Sequence, residues 1–524
     1  MPIIVSEIRI SPDEPKEIAF EKALSLLRIK PSPAVKTELA KISVDARHKD
    51  RVCLVCSVAV SCEGEERIAE HSKAKNVVLR KISPQIIPVL KKEPESRPVI
   101  IGFGPAGMFA GLYLARAGAK PVIFERGGAV DERAAAVENY WNGGELDERS
   151  NVQFGEGGAG TFSDGKLTTR INDPRCDFIL KEFEKHGAPA EILTKAKPHI
   201  GTDRLRKVVK GIREEIISLG GEIHFLSQVT DIEVRGGKAV SVTVDGDRFS
   251  AENIIFAAGH SARDTFAMLK NKGVLMEAKP FSVGVRIEHL QSAINRAQYG
   301  PYAENPALGA ADYQLSYQVD GRCAYTFCMC PGGYVVPSAN RAETVVTNGM
   351  SCFARDGKNA NAALVCSVSA DDFDGDPFKA MAFQEQIERR AYFLGREKAP
   401  AQSVGAFLNG GASKFGRVEP TYARGVEEAP ISELFPEEII SVLKKGIQQF
   451  DRKLQGYADP EAVLTGPETR TSSPVRIVRN RDSLEAVGLE GLFPCAEGAG
   501  YAGGIMSAAV DGVRCAEMVL KKYM

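Results

Sequence analysis

The chain has 524 residues, with 67 Lys and Arg against 68 Asp and Glu, so its formal net charge is −1. This balance argues against a general nucleic-acid binder, which would carry a basic excess. No apolar run approaches the roughly 18 residues that a membrane span needs, and the first residues lack the basic and apolar regions of a secretory signal. The sequence therefore predicts a cytoplasmic protein of several domains that does not bind membranes.

Residues 1–95 have the pattern of a small α+β domain, and the order of their elements suggests a ferredoxin-like fold. The predicted elements are a strand at Ile3–Ile10, a helix after Pro15, a buried strand at Val52–Val60, a short helix at Glu65–Ser72 and a strand at Asn76–Ile82. The segment Lys91–Pro98 is polar and contains two prolines, which is typical of a linker.

Eleven cysteines are scattered along the chain. Cys53 and Cys56 lie in a strand-like run, where side chains three positions apart point to opposite faces and do not converge on a metal. Cys328 and Cys330 form a C-x-C, and no second pair stands at zinc-ligand spacing. We therefore interpret the cysteines as buried structural thiols in a reducing compartment, rather than as a metal or redox pair, and we predict no metal site.

The pattern changes after Pro98, where an apolar run enters a glycine turn with the spacing G-x-G-x-x-G. Gly102 allows the tight turn, Gly104 lets the backbone approach a pyrophosphate, and Gly107 lets the next helix pack on the strand. That helix is opened by Pro105 and Ala106, and its free N–H groups and positive dipole end would face the phosphates. This order of strand, glycine turn and helix predicts a dinucleotide site.

A second apolar strand, Lys120–Glu125, follows the helix and ends in an acidic residue. Glu125 stands 18 residues after Gly107, where a carboxylate accepts hydrogen bonds from a ribose diol. Farther on, Thr202–Leu219 has apolar side chains on one stripe and predicts an amphipathic helix. A hairpin and a buried strand at Asn253–Gly259 follow, so residues 96–274 are predicted to form the first part of the nucleotide-binding domain.

Residues 275–460 mix strand-like pieces, such as Ser282–Ile287, with helices that Pro377 and Pro436 open. We interpret this region as an inserted α+β substrate or cap domain. Residues 461–524 return to the glycine pattern and are predicted to complete the nucleotide-binding domain.

This last segment contains a short strand, a second glycine turn and a helix that starts at Ile505. Glu497 stands just before the turn and could bind a ribityl or ribose hydroxyl, while Gly498, Gly503 and Gly504 shape the turn. The ribityl chain and pyrophosphate of FAD extend past one glycine turn and require a second strand-turn-helix beside it. The N–H groups at the start of the last helix could then stabilise negative charge on a reduced flavin ring. The two glycine turns together therefore predict FAD.

The chain resembles the single-Rossmann FAD-dependent oxidoreductases related to the glutathione reductase superfamily. Within them it is similar to a bacterial family called NAD(FAD)-utilising or FAD-dependent dehydrogenases, whose layout includes a small N-terminal domain. The resemblance rests on VIIGFGPAGMFAGLYLARAG, VIFERG, GGAGTFSDGKLTTR, IIFAAGHSARDTF and LFPCAEGAGYAGGIMSAAVDG. The family usually has Gly where Ala496 stands, which leaves the expected role of Glu497 intact.

The resemblance implies further contacts with the cofactor. Arg126 and Arg133 follow the Glu125 strand, where an arginine commonly approaches the FAD diphosphate or ribose, although Arg133 could equally be a surface residue. Val229 would offer backbone groups to adenine, and Ala258-Gly259 would form a small-residue turn near the diphosphate.

The glycine-rich segment 157–166 is too dense in glycine for a regular element. The resemblance implies that it wraps the ribityl chain and the edge of the ring. Gly158 and Gly160 would belong to this wall, and Ser163 or Lys166 would lie near the flavin. A flexible surface loop is the alternative.

On the substrate side the sequence offers four weak candidates for a catalytic residue, and each residue type is more often structural. The candidates are Lys166, His260, Arg286 and Arg470. Residues 195–260 contain no second strand-glycine-helix unit, so NAD(P)H, if used, would dock transiently on the flavin.

The predicted function is hydride or electron transfer between flavin N5 and a small organic molecule. An FAD-dependent enzyme acting on RNA is one alternative, against which the neutral charge argues. A flavin sensor without catalysis is another. The sequence leaves the substrate and the oligomeric state open.

Overall fold

The computed structural model describes residues 1–72, 74–80 and 85–524. Lys81 and Ile82, where the strand predicted from Asn76 was to end, lie outside the described residues. The helices of the described ranges include none that is both long and apolar enough to cross a bilayer.

The N-terminal unit is a four-stranded antiparallel sheet with two helices. Its elements are β1 (Ile3–Ile10), α1 (Glu17–Leu27), β2 (Lys36–Asp45), β3 (Cys53–Ser61), α2 (Glu65–His71) and β4 (Val77–Leu79). The sheet order is β2-β3-β1-β4, so each helix connects two strands that are separated by a third. Cys56 is buried and Cys53 is half-buried, as expected for side chains on opposite faces of β3.

Strand β2 is not evident from the sequence, because its side chains are mostly half-buried and lack strict apolar alternation. Two partners hold β2 in place. It pairs with β3 along its length, and the Ile42 N–H donates to the Thr194 carbonyl at 2.8 Å. The N-terminal unit is thus hydrogen-bonded to the next domain.

The nucleotide-binding region begins with alternating strands and helices. Its first elements are β5 (Val99–Ile101), α3 (Pro105–Arg116), β6 (Val122–Phe124), α4 (Val130–Trp141), α5 (Arg175–Lys185), α6 (Thr202–Ser218), β7 (Glu222–His224), β8 (Val229–Arg235), β9 (Lys238–Val244), β10 (Asp247–Ser250), β11 (Ile254–Phe256) and α7 (Arg263–Asn271). The helix predicted at Thr202–Leu219 is confirmed as α6, and β8, β9 and β10 form a separate antiparallel sheet.

The cap region contains the largest sheet of the described residues. Its elements are β12 (Met276–Ala278), β13 (Phe281–Leu290), α8 (Gln291–Tyr299), β14 (Ser316–Val319), β15 (Arg322–Cys330), β16 (Tyr334–Pro337), β17 (Thr347–Met350), β18 (Asn359–Val368), α9 (Pro377–Leu394), β19 (Ala399–Ser403), α10 (Val404–Asn409), β20 (Val426–Glu428), α11 (Glu437–Lys453) and β21 (Val463–Glu468). The predicted start of α9 is confirmed, since the Asp376 carboxylate accepts the Phe378 N–H at 2.8 Å.

The seven-stranded cap sheet has the order β14-β15-β18-β13-β21-β19-β20. It therefore includes β21, which lies beyond residue 460. The chain then returns to the first domain with β22 (Val475–Ile477), β23 (Leu492–Pro494) and α12 (Ile505–Tyr523).

The parallel sheet of the nucleotide-binding domain has the order β23-β11-β5-β6-β7. The C-terminal strand β23 thus lies two places from β5, although almost 400 residues separate them in the chain. The fold is α/β, with a Rossmann-like parallel sheet, a cap built on a mixed sheet, and the N-terminal unit.

Helices α3 and α12 pack closely through small residues. A Cβ built at Gly512 would lie 2.2 Å from the Ala106 carbonyl oxygen, so only glycine lets the two backbones approach this far.

We expect Gly512→Ala to lower the free energy of unfolding by about 1–3 kcal/mol, because the added methyl group forces the two helices apart. Urea unfolding followed by circular dichroism measures this change. The control is Arg514→Ala on the same helix, where the side chain is 43% exposed and the expected change is within about 0.5 kcal/mol. Equal stability of the Gly512→Ala variant and the wild type would contradict the packing argument.

Candidate FAD site

The first glycine turn has the geometry that its spacing predicted. Gly102 has φ +96°, and a Cβ built there would lie 2.8 Å from the Ala257 carbonyl oxygen. A Cβ built at Gly107 would lie 2.0 Å from the Gly102 carbonyl oxygen. At Gly104 the nearest atom to a built Cβ is the Gly158 Cα, at 3.7 Å. Gly102 and Gly107 are therefore required by the fold itself, whereas Gly104 borders open space.

The second glycine turn stands at the same edge of the sheet and is equally open. Within the described residues, no atom lies within 4 Å of a Cβ built at Gly503, Gly504 or Gly259. A Cβ built at Gly160 would lie 3.2 Å from the Ile505 side chain, so segment 157–160 runs against the start of α12. The two turns and this segment form the walls of a cleft, which we call the glycine cleft.

Two helices begin at the glycine cleft with free N–H groups. Among the described residues, no side chain caps the start of α3 at Pro105 or the start of α12 at Ile505. Helix N-termini carry partial positive charge and bind anions such as phosphate. The residues present therefore fit a diphosphate and a flavin ring along the open glycines.

Glu125 accepts hydrogen bonds from three backbone segments around the first glycine turn. Its buried carboxylate accepts the Phe103 N–H at 2.7 Å and the Gly127 and Gly155 N–H groups at 2.9 Å each. A carboxylate offers about four acceptor positions, so roughly one remains for a ribose hydroxyl. The carboxylate thus stabilises the turn, a role that the sequence did not predict. The predicted contact with the ribose would use the remaining acceptor position.

Arg133 has a different position from the one expected. Its guanidinium is fully buried and donates to the carbonyl oxygens of Asn151, Val152, Gly155 and Glu156. Burial lowers its pKa to about 10. Hydrogen bonds to these four acceptors anchor segment 151–156. Arg133 is therefore neither a surface residue nor a contact of the diphosphate, the two positions that the sequence left open. A buried arginine whose hydrogen-bond acceptors are backbone carbonyl groups has no signature in the sequence.

Arg126 lies beside the same loops but is partnered within the protein. Its Nη2 donates to Asp264 Oδ1 at 2.9 Å and to the Thr265 hydroxyl at 3.1 Å, and its guanidinium stacks over the Phe154 ring. Val229 opens β8 and is buried. Two residues earlier, the Ser227 N–H donates to the Glu125 carbonyl at 2.9 Å, which keeps the start of β8 close to Glu125.

Glu497 follows β23 and pairs with His260. The His260 Nδ1 lies 2.7 Å from both carboxylate oxygens. Burial opposes ionisation, but His260 holds the pKa of Glu497 below its usual value. A Cβ built at Gly498 would lie 1.8 Å from the Ala258 carbonyl oxygen, so the two small-residue turns lie directly against each other.

Family models match three parts of the chain. Residues 96–282 match the pyridine nucleotide-disulphide oxidoreductase model, and residues 280–471 match a model described as the C-terminal domain of FAD-dependent proteins. Residues 1–61 match a domain of unknown function.

The chain belongs to the FAD-dependent oxidoreductases. The oxidoreductase is 47% identical over 530 residues to an uncharacterized protein of Clostridium beijerinckii, a match that covers 100% of this chain and 99% of that protein.

Solved structures similar to the oxidoreductase share little sequence with it. A geranylgeranyl bacteriochlorophyll reductase-like protein from Thermoplasma acidophilum is 13% identical, with 82% of this chain and 79% of that chain covered and a TM-score of 0.36. A glycine oxidase from Geobacillus kaustophilus is 12% identical, with 81% and 94% covered and a TM-score of 0.35.

The glycine-rich segment of the oxidoreductase is ordered by its own polar residues. The Ser163 hydroxyl donates to the Gly160 carbonyl at 2.6 Å and accepts the Gly165 N–H at 3.0 Å. It therefore shapes the segment from within, and its expected position near the flavin stays a prediction. Thr161, Phe162 and Asp164 are buried, which argues against a surface loop.

Lys166 connects the glycine-rich segment to the cap. Its Nζ donates to Asp164 at 2.7 Å and to the Met329 carbonyl on β15. Arg355 donates to the other oxygen of Asp164 at 2.9 Å. Burial opposes ionisation, but Lys166 and Arg355 hold the pKa of Asp164 far below its usual value. The three residues form a charged joint between the nucleotide-binding domain and the cap, of which the sequence indicated only Lys166.

Arg470 belongs to a second buried joint. Its Nη1 donates to the Ser261 hydroxyl at 2.9 Å and its Nε to Glu388 at 2.9 Å. Arg263 donates to both oxygens of Glu388 at 3.1 Å. Burial lowers the pKa of Arg470 to about 10. These contacts indicate that Arg470 aligns the His260–Ser261 turn with the cap.

Arg286 lies in the centre of the cap sheet and is fully buried. It donates to Glu468 through Nε at 2.8 Å and through Nη2 at 3.0 Å. Its remaining donors contact Asn361, Asn348 and the Cys328 carbonyl. With these partners it joins β13, β15, β17, β18 and β21, which is a structural role.

Within the described residues, two clusters of side chains could in principle bind a metal ion, but in each cluster an arginine already pairs with a carboxylate. Arg479 pairs with Asp511 at 2.7 Å beside Cys495 and Cys515. Arg116 pairs with Glu182 at 2.6 Å beside His186 and Glu215. A guanidinium at this distance already neutralises the carboxylate and repels a cation.

We expect Glu388→Gln to destabilise the oxidoreductase at neutral pH by about 3 kcal/mol, because two buried arginines lose their counter-charge. Burial raises the pKa of Glu388, but Arg470 and Arg263 outweigh it and bring the pKa to about 2, against an ordinary 4.5. A lowered pKa stabilises the fold above the unfolded-state value, and the contribution is lost as pH falls through the folded-state value. The difference between wild type and variant should therefore shrink between about pH 5 and pH 2.

Denaturant unfolding at a series of pH values measures this difference. The matched control is Glu385→Gln on the same helix, whose side chain is 24% exposed, with an expected loss of at most about 1 kcal/mol. If the stability difference between the wild type and Glu388→Gln stays constant down to pH 3, the arginines do not lower the pKa of Glu388.

Proposed function

We propose that the chain binds FAD in the glycine cleft and transfers hydride or electrons between flavin N5 and a small organic molecule. The observation that carries this proposal is the meeting of two uncapped helix starts at one open cleft. No atom of the described residues lies within 4 Å of a Cβ built at Gly503 or Gly504, and the nearest atom to one built at Gly104 is the Gly158 Cα at 3.7 Å. When bound, FAD supplies the ring that accepts or donates the hydride.

The residues of the cleft have distinct roles in this proposal. The turn at Gly104, Pro105 and Ala106 would hold the diphosphate with backbone N–H groups. Glu125 would bind the adenosine ribose through its remaining acceptor position. Glu497 would bind a ribityl hydroxyl, with His260 keeping its carboxylate ionised and oriented.

NAD(P)H is proposed to act as a transient donor. Between residues 195 and 260, all of them described, the chain forms α6, β7, the antiparallel sheet of β8, β9 and β10, and β11. That range contains no second G-x-G-x-x-G turn. A pyridine nucleotide would therefore dock on the flavin from the cap side and leave again.

Two further assignments belong to this proposal. We infer that the N-terminal unit is a ferredoxin-like domain, because its elements follow the order β-α-β-β-α-β. We also infer a cytoplasmic protein, because all eleven cysteines are free in a chain of this size.

We expect Gly104→Val to weaken FAD binding by roughly 100-fold and to leave unfolding of the FAD-free protein unchanged. Gly104 has φ −75°, which valine adopts readily, and its new side chain would point into the open cleft. Flavin fluorescence quenching measures the affinity. Gly107→Ala is the contrasting variant, since its Cβ collides with the turn and should destabilise the fold itself. Unimpaired FAD binding by Gly104→Val would refute the proposed diphosphate position.

We expect anaerobic addition of NADH or NADPH to bleach the flavin absorbance of the purified, FAD-loaded protein within the time of a catalytic cycle. The spectrum near 450 nm follows this reduction. Persistent absorbance with both nucleotides and with other cellular reductants would favour a flavin sensor over an enzyme.

A further inference from the structure

The two strands that join the nucleotide-binding domain to the cap lie against the second glycine turn. β12 and β22 pair in antiparallel register, with Glu277 opposite Arg476. Gly500 lies in the turn with φ +85°, and a Cβ built there would lie 2.9 Å from the Arg476 Cα. The backbone of Arg476 therefore forms part of the rim of the glycine cleft.

Two cations stand at this rim without a partner. Arg476 is exposed, and Lys279, which follows β12, is half-buried. Within the described residues, neither side chain makes a hydrogen bond or an ion pair. A half-buried cation normally has a counter-ion, as the side chain of Lys272 has in Asp231 at 2.7 Å. The unpaired state of Lys279 therefore points to an anion that binds from outside the chain.

The two carboxylates nearest to these cations do not neutralise them. Glu497 is already paired with the His260 Nδ1 at 2.7 Å. Burial lowers the pKa of Lys279, while Glu497 raises it and Arg476 lowers it further, so both charges lie close to the ammonium group. Glu277 is exposed and forms no ion pair with Arg476, although it is the cross-strand neighbour. The two cations thus remain available to an incoming anion.

Tyr501 continues the rim towards the open glycines. Its ring is 36% exposed, and the Arg479 guanidinium lies over it at 3.8 Å from the centroid. The Arg476 guanidinium lies 5.7 Å from the same centroid. Two residues after Tyr501 come Gly503 and Gly504, where the flavin ring is expected. The cations therefore stand beside the expected position of the ring.

This position favours a dinucleotide donor over a small organic acid as the source of the anion. In NAD(P)H a ribose separates the nicotinamide from a diphosphate with two negative charges. A nicotinamide stacked on the flavin would therefore place the diphosphate beside the ring, where two cations match its charge. Residues 195–260 contain no second G-x-G-x-x-G turn, so side chains must hold these phosphates.

We propose that Arg476 and Lys279 bind the diphosphate of the NAD(P)H that reduces the flavin. This inference rests on the proposed function, in which FAD occupies the glycine cleft and a pyridine nucleotide docks on it. The Arg476 fork and the Lys279 ammonium group donate charge-assisted hydrogen bonds to the phosphate oxygens. The nicotinamide then lies towards Gly503 and Gly504.

Anaerobic stopped-flow reduction of the FAD-loaded full chain at a series of NADH and NADPH concentrations tests the inference. Arg476→Gln and Lys279→Gln should each raise the apparent Kd for both nucleotides about tenfold. The limiting rate of flavin reduction and the affinity for FAD should stay within about twofold, because neither side chain is proposed to contact the nicotinamide or the flavin. Inorganic diphosphate should compete with NADH in the wild type and about tenfold less well in each variant.

The matched control is Arg481→Gln, an exposed arginine farther along the same segment, whose apparent Kd should be unchanged. Flavin reduction with an unchanged Kd in both test variants would overturn the inference alone. An effect confined to NADPH would assign the cations to its 2′-phosphate and overturn the diphosphate position. Bound FAD that neither nucleotide reduces would overturn the inference and leave FAD binding intact. A chain that binds no FAD would overturn the proposed function and this inference with it.

Discussion

The close approach of α3 and α12 is the constraint on which the remaining structure depends. Gly512 lets the α12 backbone pack against Ala106, and both helices then begin at one edge of the parallel sheet. Each start carries unpaired N–H groups and partial positive charge, so two adjacent starts repel one another unless an anion lies between them. The open glycines leave room for that anion, and a dinucleotide diphosphate meets the requirement.

Buried carboxylates fix how the cap is attached to this cleft. Asp164 connects the glycine-rich segment to Arg355 of the cap, and Glu388 on α9 connects to Arg263 and Arg470. Separating the partners of such a pair leaves an uncompensated charge in the protein interior, which is strongly destabilising. The cap therefore cannot move far from the nucleotide-binding domain without breaking these ion pairs. The cap is thereby held at a fixed distance from the helix starts.

The sequence predicted those features that depend on residues close together in the chain. The G-x-G-x-x-G turn, the amphipathic α6 and the Asp376 cap of α9 each rest on a few neighbouring residues, and their structures agree with the predictions. The edge strand β2 was missed, since its conformation depends on β3 and on Thr194. For Arg133 the sequence left a cofactor contact and a surface position equally open, but the four carbonyl groups that surround it come from a loop about 20 residues away.

By itself the sequence determined the two glycine turns, the acidic residues Glu125 and Glu497, and an α/β chain that belongs with FAD-dependent oxidoreductases. A short motif encodes these features because they are local. They depend on the absence of a side chain at a glycine and on the dipole at the start of a helix. Only the tertiary structure decided that His260 pairs with Glu497, that Arg286 and Arg470 hold the cap together, and that Lys166 lies against the backbone of the C-x-C pair. Those contacts join segments up to about 240 residues apart, and the partner of a buried charge is set by which strands and helices meet.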